Sequence, residues 1–187
     1  MQQLRADQIT RFEQPTVVTV GSFDGVHLGH QALLKRLNEV AECDGLRRVV
    51  VTFDPHPRIA LGRSEGLQLL TSDEEKAALL AAYGVDTLVI LPFNQATAAQ
   101  SGEAFARDFL IGKLNARVLV AGYNHRFGHD RLSAHELQIA TLAVSEVEAC
   151  EIEGERVSST LIRERIAAGD HQSAERLLGH PIELLQH

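Results

Sequence analysis

The chain has 187 residues, enough for one α/β domain with a full core, and a formal net charge of −7, which argues against a nonspecific nucleic-acid binder. Its two cysteines, Cys43 and Cys150, form no Cys-x-x-Cys pair and fit a reducing cytosol, so a cytoplasmic protein is expected. No apolar run reaches membrane-spanning length, which sets aside a membrane partner, and neither a repeat nor a low-complexity segment is present.

Residues 1–14 are polar and read as a short arm. Thr16-Val17-Val18-Thr19-Val20 reads as the first buried strand. It empties into Gly21-Ser22-Phe23-Asp24-Gly25-Val26-His27-Leu28-Gly29-His30, and a helix follows from Gln31 to about Ala41. A strand, a glycine-rich turn and a helix start make a natural anion site. Glycine lets the backbone approach a phosphate, while free N–H groups and the helix dipole favour negative charge. His27 and His30 are three apart and share a face on a first helical turn, so two imidazoles aim at one anion. Zinc ligation is an alternative, although no Cys or third His stands nearby at a usual spacing. Packing beside a tight turn is another.

Asp44-Gly45 marks a turn, and Arg47 to Phe53 reads as a second strand, so that a right-handed parallel crossover is expected. Asp54-Pro55-His56-Pro57-Arg58 is a rigid loop at that strand's C-terminal end, the edge where open α/β sheets bind ligands. A loop with an idle surface His and Arg is the plain alternative. Ser72 with Glu75 fits a capping box that opens a helix ending near Gly84. A third strand follows over Asp86–Leu91, a helix over Gly102–Ile111, and a fourth strand over Arg117–Ala121.

The fourth strand empties into Gly122-Tyr123-Asn124-His125-Arg126-Phe127-Gly128. Aromatics beside hydrogen-bonding groups suit a planar heterocycle, and a polar loop with its aromatics folded into the core is the plain alternative. A capping box at Ser133 and Glu136 predicts a helix to about Leu142, and Val144 to Ile152 reads as a fifth strand. Arg156-Val157-Ser158-Ser159-Thr160-Leu161-Ile162-Arg163 places three hydroxyls at a helix start between two arginines, a pattern that caps and also binds phosphate oxygens. A last helix is expected over Ala174–Leu178.

Gly21–His30, Asp54–Arg58, Leu70-Thr71-x4-Lys76, Gly122-x-Asn124-x2-Phe127-Gly128 and Arg156-x-Ser158-Ser159-Thr160-x-Ile162-Arg163 occur together in one order. In that order the chain resembles the N-terminal FMN adenylyltransferase domain of bacterial bifunctional FAD synthetases, within the nucleotidylyltransferase superfamily. The resemblance covers nearly the whole chain. It implies a Rossmann-like parallel sheet with flanking helices, and the reaction of FMN with ATP to give FAD and pyrophosphate, with Mg2+. It implies catalytic roles for His27, His30 and Arg163. It implies ATP contacts from Gly21, Ser22, Phe23, Asp24, Gly25, Arg156, Ser158, Ser159 and Thr160. Flavin contacts would come from His56, Pro57, Arg58, Asn124, Arg126 and Phe127. No protein ligand for a metal is assigned. One such domain is expected over residues 1–187, without the riboflavin kinase barrel that follows in the bifunctional enzymes. Another small-molecule nucleotidylyltransferase, or a flavin or nucleotide binder without catalysis, would use many of the same residues.

Overall fold

The structure is a computed structural model that describes residues 1–63, 67–137 and 139–182. A strand β1 (Gln2–Arg5) and a 3-10 turn (Ala6–Gln8) precede β2 (Thr16–Val20). Helix α1 (Leu28–Asp44), β3 (Arg47–Asp54), a one-turn α2 (Pro57–Ala60) and α3 (Asp73–Ala82) follow. Next come β4 (Thr87–Pro92) and α4 (Gln95–Ala99). A helical segment then opens as α5 (Gly102–Ala104), widens to π spacing over Phe105–Ile111 and leads to β5 (Ala116–Gly122). The last elements are a 3-10 turn (His135–Leu137), β6 (Ala143–Val147), a small hairpin of β7 (Glu151–Ile152) and β8 (Glu155–Arg156), α6 (Ser159–Ala167) and α7 (His171–Leu178).

Six strands form one parallel sheet in the order β1-β4-β3-β2-β5-β6. The near-continuous valine runs follow from this: a parallel sheet covered on both faces must be apolar at odd and even positions alike. Val18, Val20, Val49, Val51 and Leu119 turn to one face, where Phe105, Phe109 and Leu110 cover them. Val17, Val50, Leu88 and Val120 turn to the other, beneath Leu34 and Leu37 of α1 and Leu80 of α3. The strand order reverses at β2, which has β3 on one side and β5 on the other. Open α/β sheets form their ligand crevice at such a point, beyond the strands' C-terminal ends. The turn after β2 and the loop after β5 therefore meet there.

Three segments depart from the local sequence reading. Residues 1–14 are not merely an arm, because Gln2–Arg5 pairs in parallel with β4, Leu4 opposite Val89. An edge strand needs partners on one side only, and a single core-facing residue, Leu4, is enough to seat it. The expected strand Val144–Ile152 is two elements. Glu153 and Gly154 both take positive φ (53° and 80°), a tight hairpin turn that reverses the chain and pairs β7 antiparallel with β8. The helix expected from Ser133 to Leu142 is only a 3-10 turn. Its capping box forms, with Glu136 N donating to Ser133 Oγ at 3.3 Å and Ser133 N to Glu136 Oε2 at 2.7 Å. But β6 begins at Ala143, and the buried Leu137 and Leu142 draw the chain to the core before a helix can propagate. Gln138 lies outside the described residues.

Helices α6 and α7 form a satellite core of Val157, Ile162, Ala174, Leu177 and Leu178 around Leu70. This packing brings the start of α6 to the turn that follows β2. Among the described residues no helix is long and apolar enough to cross a membrane.

Candidate active site

His27 caps α1: its Nδ1 accepts from the backbone N–H of His30 at 3.3 Å. That bond leaves the proton of the neutral ring on Nε2. The rings of His27 and His30 stack with centroids 3.7 Å apart and planes within 13°. Phe23 lies against His30 at 4.9 Å. Burial pushes the His27 imidazole down to about 4, with the charge of Arg163 adding to it, and burial with the neighbouring His27 holds His30 well below its usual range. Both rings are therefore neutral donors near pH 7. Among the described residues His30 Nδ1 is buried without a hydrogen-bond partner.

The pair lines a cleft of about 470 Å3 at the reversal of strand order. Gly21, Ser22 and Phe23 line it from the β2 turn, and His56, Pro57 and Arg58 from the end of β3. Asn124 lines it from the loop after β5, while Arg156, Ser158, Ser159, Thr160 and Arg163 line it from the approach to α6. His56 repeats the capping arrangement of His27, its Nδ1 accepting from Arg58 N at 3.2 Å, and burial lowers it too. The imidazoles of His27 and His56 thus both carry their protons on Nε2.

Several expected contacts lie elsewhere. Asp24 is 2 % exposed and does not line the cleft. Its carboxylate accepts from Leu70 N (2.7 Å) and Thr71 N (3.3 Å) and pairs with Arg163 at 2.6 Å. Gly25 is likewise outside the cleft: its N–H donates to Thr71 Oγ1, and its φ of 81° is the left-handed backbone for which glycine is suited. The Gly21 N–H is spent on Val51 O. The free turn amides expected for phosphate are thus committed inside the protein at both glycines. Arg126 and Phe127 open on a second, mostly apolar pocket of about 250 Å3. Phe127 is 2 % exposed and stacks on Phe105, whereas the exposed Arg126 lies 3.7 Å from Glu136.

The hydroxyl cluster divides its work. Ser158 Oγ caps α6 by accepting from Leu161 N at 3.2 Å, and Ser159 Oγ donates to the carbonyl of Asp24 at 2.9 Å. Thr160 is exposed to the cleft. Arg156 lies over the ring of Tyr123 at 5.0 Å.

Sequence reasoning did not assign His125, Phe53 or Phe93. Phe53 and His125 line both the cleft and the smaller pocket, joining them, and Phe93 lines the smaller one. The available signal was positional, since each lies at or just beyond the C-terminal end of a parallel strand. Burial pushes His125 down to about 4. Below the ordinary value of 6.5 the unfolded chain takes up protons that the buried His27 and His125 refuse. Their contribution to stability is therefore complete above pH 6.5 and is lost as pH falls toward 4. The urea midpoint should drop over that window, and His125→Phe, which removes one of these groups, should make the drop shallower.

A family model described as FAD synthetase matches residues 9–161. The bifunctional riboflavin kinase/FMN adenylyltransferase of Pseudomonas fluorescens is 38% identical over 173 residues, covering 90% of this chain and 55% of that protein. The corresponding protein of Listeria monocytogenes is 34% identical over 171 residues, covering 88% of this chain and 54% of its own. A putative bifunctional riboflavin kinase/FMN adenylyltransferase of Geobacillus thermodenitrificans is 37% identical, covering 89% and 91% respectively. The chain thus spans about half the length of the Pseudomonas and Listeria relatives. A crystal structure described as a macrolide-efflux protein from Streptococcus pneumoniae superposes with a TM-score of 0.88 at 32% identity, covering 97% of this chain and 61% of the other. With a family match that runs from the approach to β2 through the start of α6, this chain belongs to the FAD synthetase family.

Proposed function

We propose that this domain is an FMN adenylyltransferase: it moves AMP from ATP to FMN, giving FAD and pyrophosphate. The observation that carries the reading is the stacked, desolvated His27–His30 pair, placed in one cleft with the hydroxyl-rich start of α6 at the reversal of strand order. Such a cleft suits two anionic reactants that must be held together.

A phosphate oxygen of FMN attacks the α-phosphorus of ATP, the bond from that phosphorus to the bridging oxygen breaks, and pyrophosphate leaves. A phosphate monoester has its second pKa near about 6, so FMN attacks as the dianion without a general base. The protein's share is then positioning and charge stabilisation. His27 Nε2–H donates to the α-phosphate as charge moves onto the leaving oxygen, and His30 supplies a second donor. Neutral imidazoles suit this role, because they enter the desolvated site without a counter-ion and incoming phosphate charge favours their protonated form. Thr160, Arg156 and Arg163 are assigned to the β- and γ-phosphates. Arg163 reaches them in competition with Asp24, to which it is paired in this structure.

The flavin ring is assigned to the smaller pocket, whose Phe53, Phe93, Phe105 and Phe127 offer apolar walls, with His56, Pro57, Arg58 and Asn124 along the way to the reacting phosphate. Among the described residues no group of three His, Cys, Asp or Glu is arranged to hold a metal, and Asp24 is spent on Arg163 and two amides. Mg2+ therefore fits as a counter-ion that arrives with the triphosphate and keeps most of its ligands from water and phosphate. Cys43 and Cys150 are both free thiols, which supports the cytoplasm as the compartment proposed.

The test is an incubation with FMN, ATP and Mg2+, followed by chromatography for FAD and a pyrophosphate assay. Equal amounts of FAD and pyrophosphate are expected. Pyrophosphate released only with another phosphorylated acceptor would make the protein a different nucleotidylyltransferase, and binding of both nucleotides with no pyrophosphate would make it a binder alone.

A further inference from the structure

The turn that carries His27 is strained. Phe23 and Val26 take φ of 50° and 40°, left-handed backbone that non-glycine residues avoid unless their surroundings impose it. The imposing contacts are side chains on the turn's backbone. Thr52 Oγ1 donates to Ser22 O at 3.2 Å, and Ser159 and Thr71 hold Asp24 O and Gly25 N. Two further side chains, His180 and Gln31, link the turn to the corner at the end of α7. His180 Nε2 donates to the carbonyl of Gly25 at 2.8 Å. Gln31 Nε2 donates to the carbonyl of Val26 at 3.0 Å and to that of Leu178 at 2.7 Å, tying turn and corner together.

The packing agrees. Leu178 is fully buried, and a Cβ added to Gly25 would lie 3.3 Å from it. Gly179 approaches α1 so closely that a Cβ there would meet Leu28 at 2.5 Å. Neither Gln31 nor His180 lines the cleft.

We propose that Gln31 and His180 are positioning residues for the histidine pair, acting through the carbonyls of Val26 and Gly25. His27 is the next residue after Val26, and its Nδ1 is committed to His30 N, so its ring follows the backbone. Loss of either bond lets the strained turn relax, and the stacked imidazoles move with it. A displacement of about 1 Å at reacting groups costs on the order of 100-fold in rate. The kinetic part of this inference rests on the adenylyl-transfer reading above.

The experiment compares His180→Ala, Gln31→Ala and the conservative His180→Gln, which keeps an N–H donor of similar reach, all in the whole chain. Steady-state FAD formation, melting temperature and the 1H–15N signals of the His27 and His30 rings in the free protein are measured. Each alanine variant should lose at least about tenfold in kcat with the KM for ATP held within about threefold, because an interaction felt in the transition state is lost. The ring signals should shift, and His180→Gln should recover most of the turnover. Unmoved ring signals with full turnover would overturn the proposal. So would a loss of turnover that His180→Gln does not recover and that follows only a lower melting temperature. A wild-type protein that makes no FAD would remove the adenylyl-transfer reading, and the ring signals would then decide the positioning role alone.

Discussion

His30→Ala is expected to lower kcat about 100- to 1000-fold, the cost typical of losing one donor aimed at developing charge. The KM for ATP should change far less, because the triphosphate tail is assigned to Thr160, Arg156 and Arg163 rather than to the imidazoles. The expected size follows from the surroundings. The ring is largely withdrawn from water and stacked at 3.7 Å on His27, so its hydrogen bond acts where water screens it weakly. His27→Ala should lose as much or more, since it also removes the cap on His30 N. Steady-state kinetics with ATP varied at saturating FMN decide the matter. Turnover within about twofold of the wild type in His30→Ala would remove the residue from the reaction.

Asp24→Ala carries the largest expected effect on stability. The carboxylate is 2 % exposed and answers three donors at once: Leu70 N, Thr71 N and the Arg163 guanidinium. Its removal leaves two amides without their acceptor and a guanidinium, 17% exposed, without its counter-charge. Breaking a buried pair by removing one partner costs about 3–5 kcal/mol, and the partial exposure of Arg163 puts the expectation near about 3. Urea unfolding gives the value. A double-mutant cycle with Arg163→Met separates the ion pair from the amide bonds, and a loss below about 1 kcal/mol in Asp24→Ala would show that solvent takes over the carboxylate's role.

His27 and His30 were legible in the sequence because strand, turn and helix are consecutive, and local spacing alone places both imidazoles at a helix start beyond a buried strand. The valine runs likewise announced buried strands, and the order strand, helix, strand announced their parallel pairing. The loop after β3 could be assigned to the ligand edge because it stands at a strand's C-terminal end, and the loop after β5 was read as a heterocycle contact from its aromatic and polar residues. The capping box at Ser72 and Glu75 forms as read, because all of its partners lie within three residues.

Asp24 marks the opposite case. Its place in a phosphate-like turn suggested a ligand contact, but its partners are Leu70, Thr71 and Arg163, the last of them 139 residues away. Nothing local states that α6 will pack against that turn. The edge strand β1 was hidden because its stability comes from backbone pairing with β4 rather than from its own side chains. Ser133 and Glu136 formed their box without the expected helix because the core claimed Leu137 and Leu142 first.

By itself, then, the sequence determined the parallel α/β class, the crevice edge and the identity of most cleft residues, all of which follow from periodicity and contiguous motifs. Tertiary structure alone decided that the Gly21 and Gly25 amides are committed, that the histidines are neutral, that Arg163 is paired with Asp24, and that Phe127 is a wall of a second pocket. Each of these depends on burial and on partners distant in sequence, and desolvation is a property of the packed molecule rather than of any segment of it.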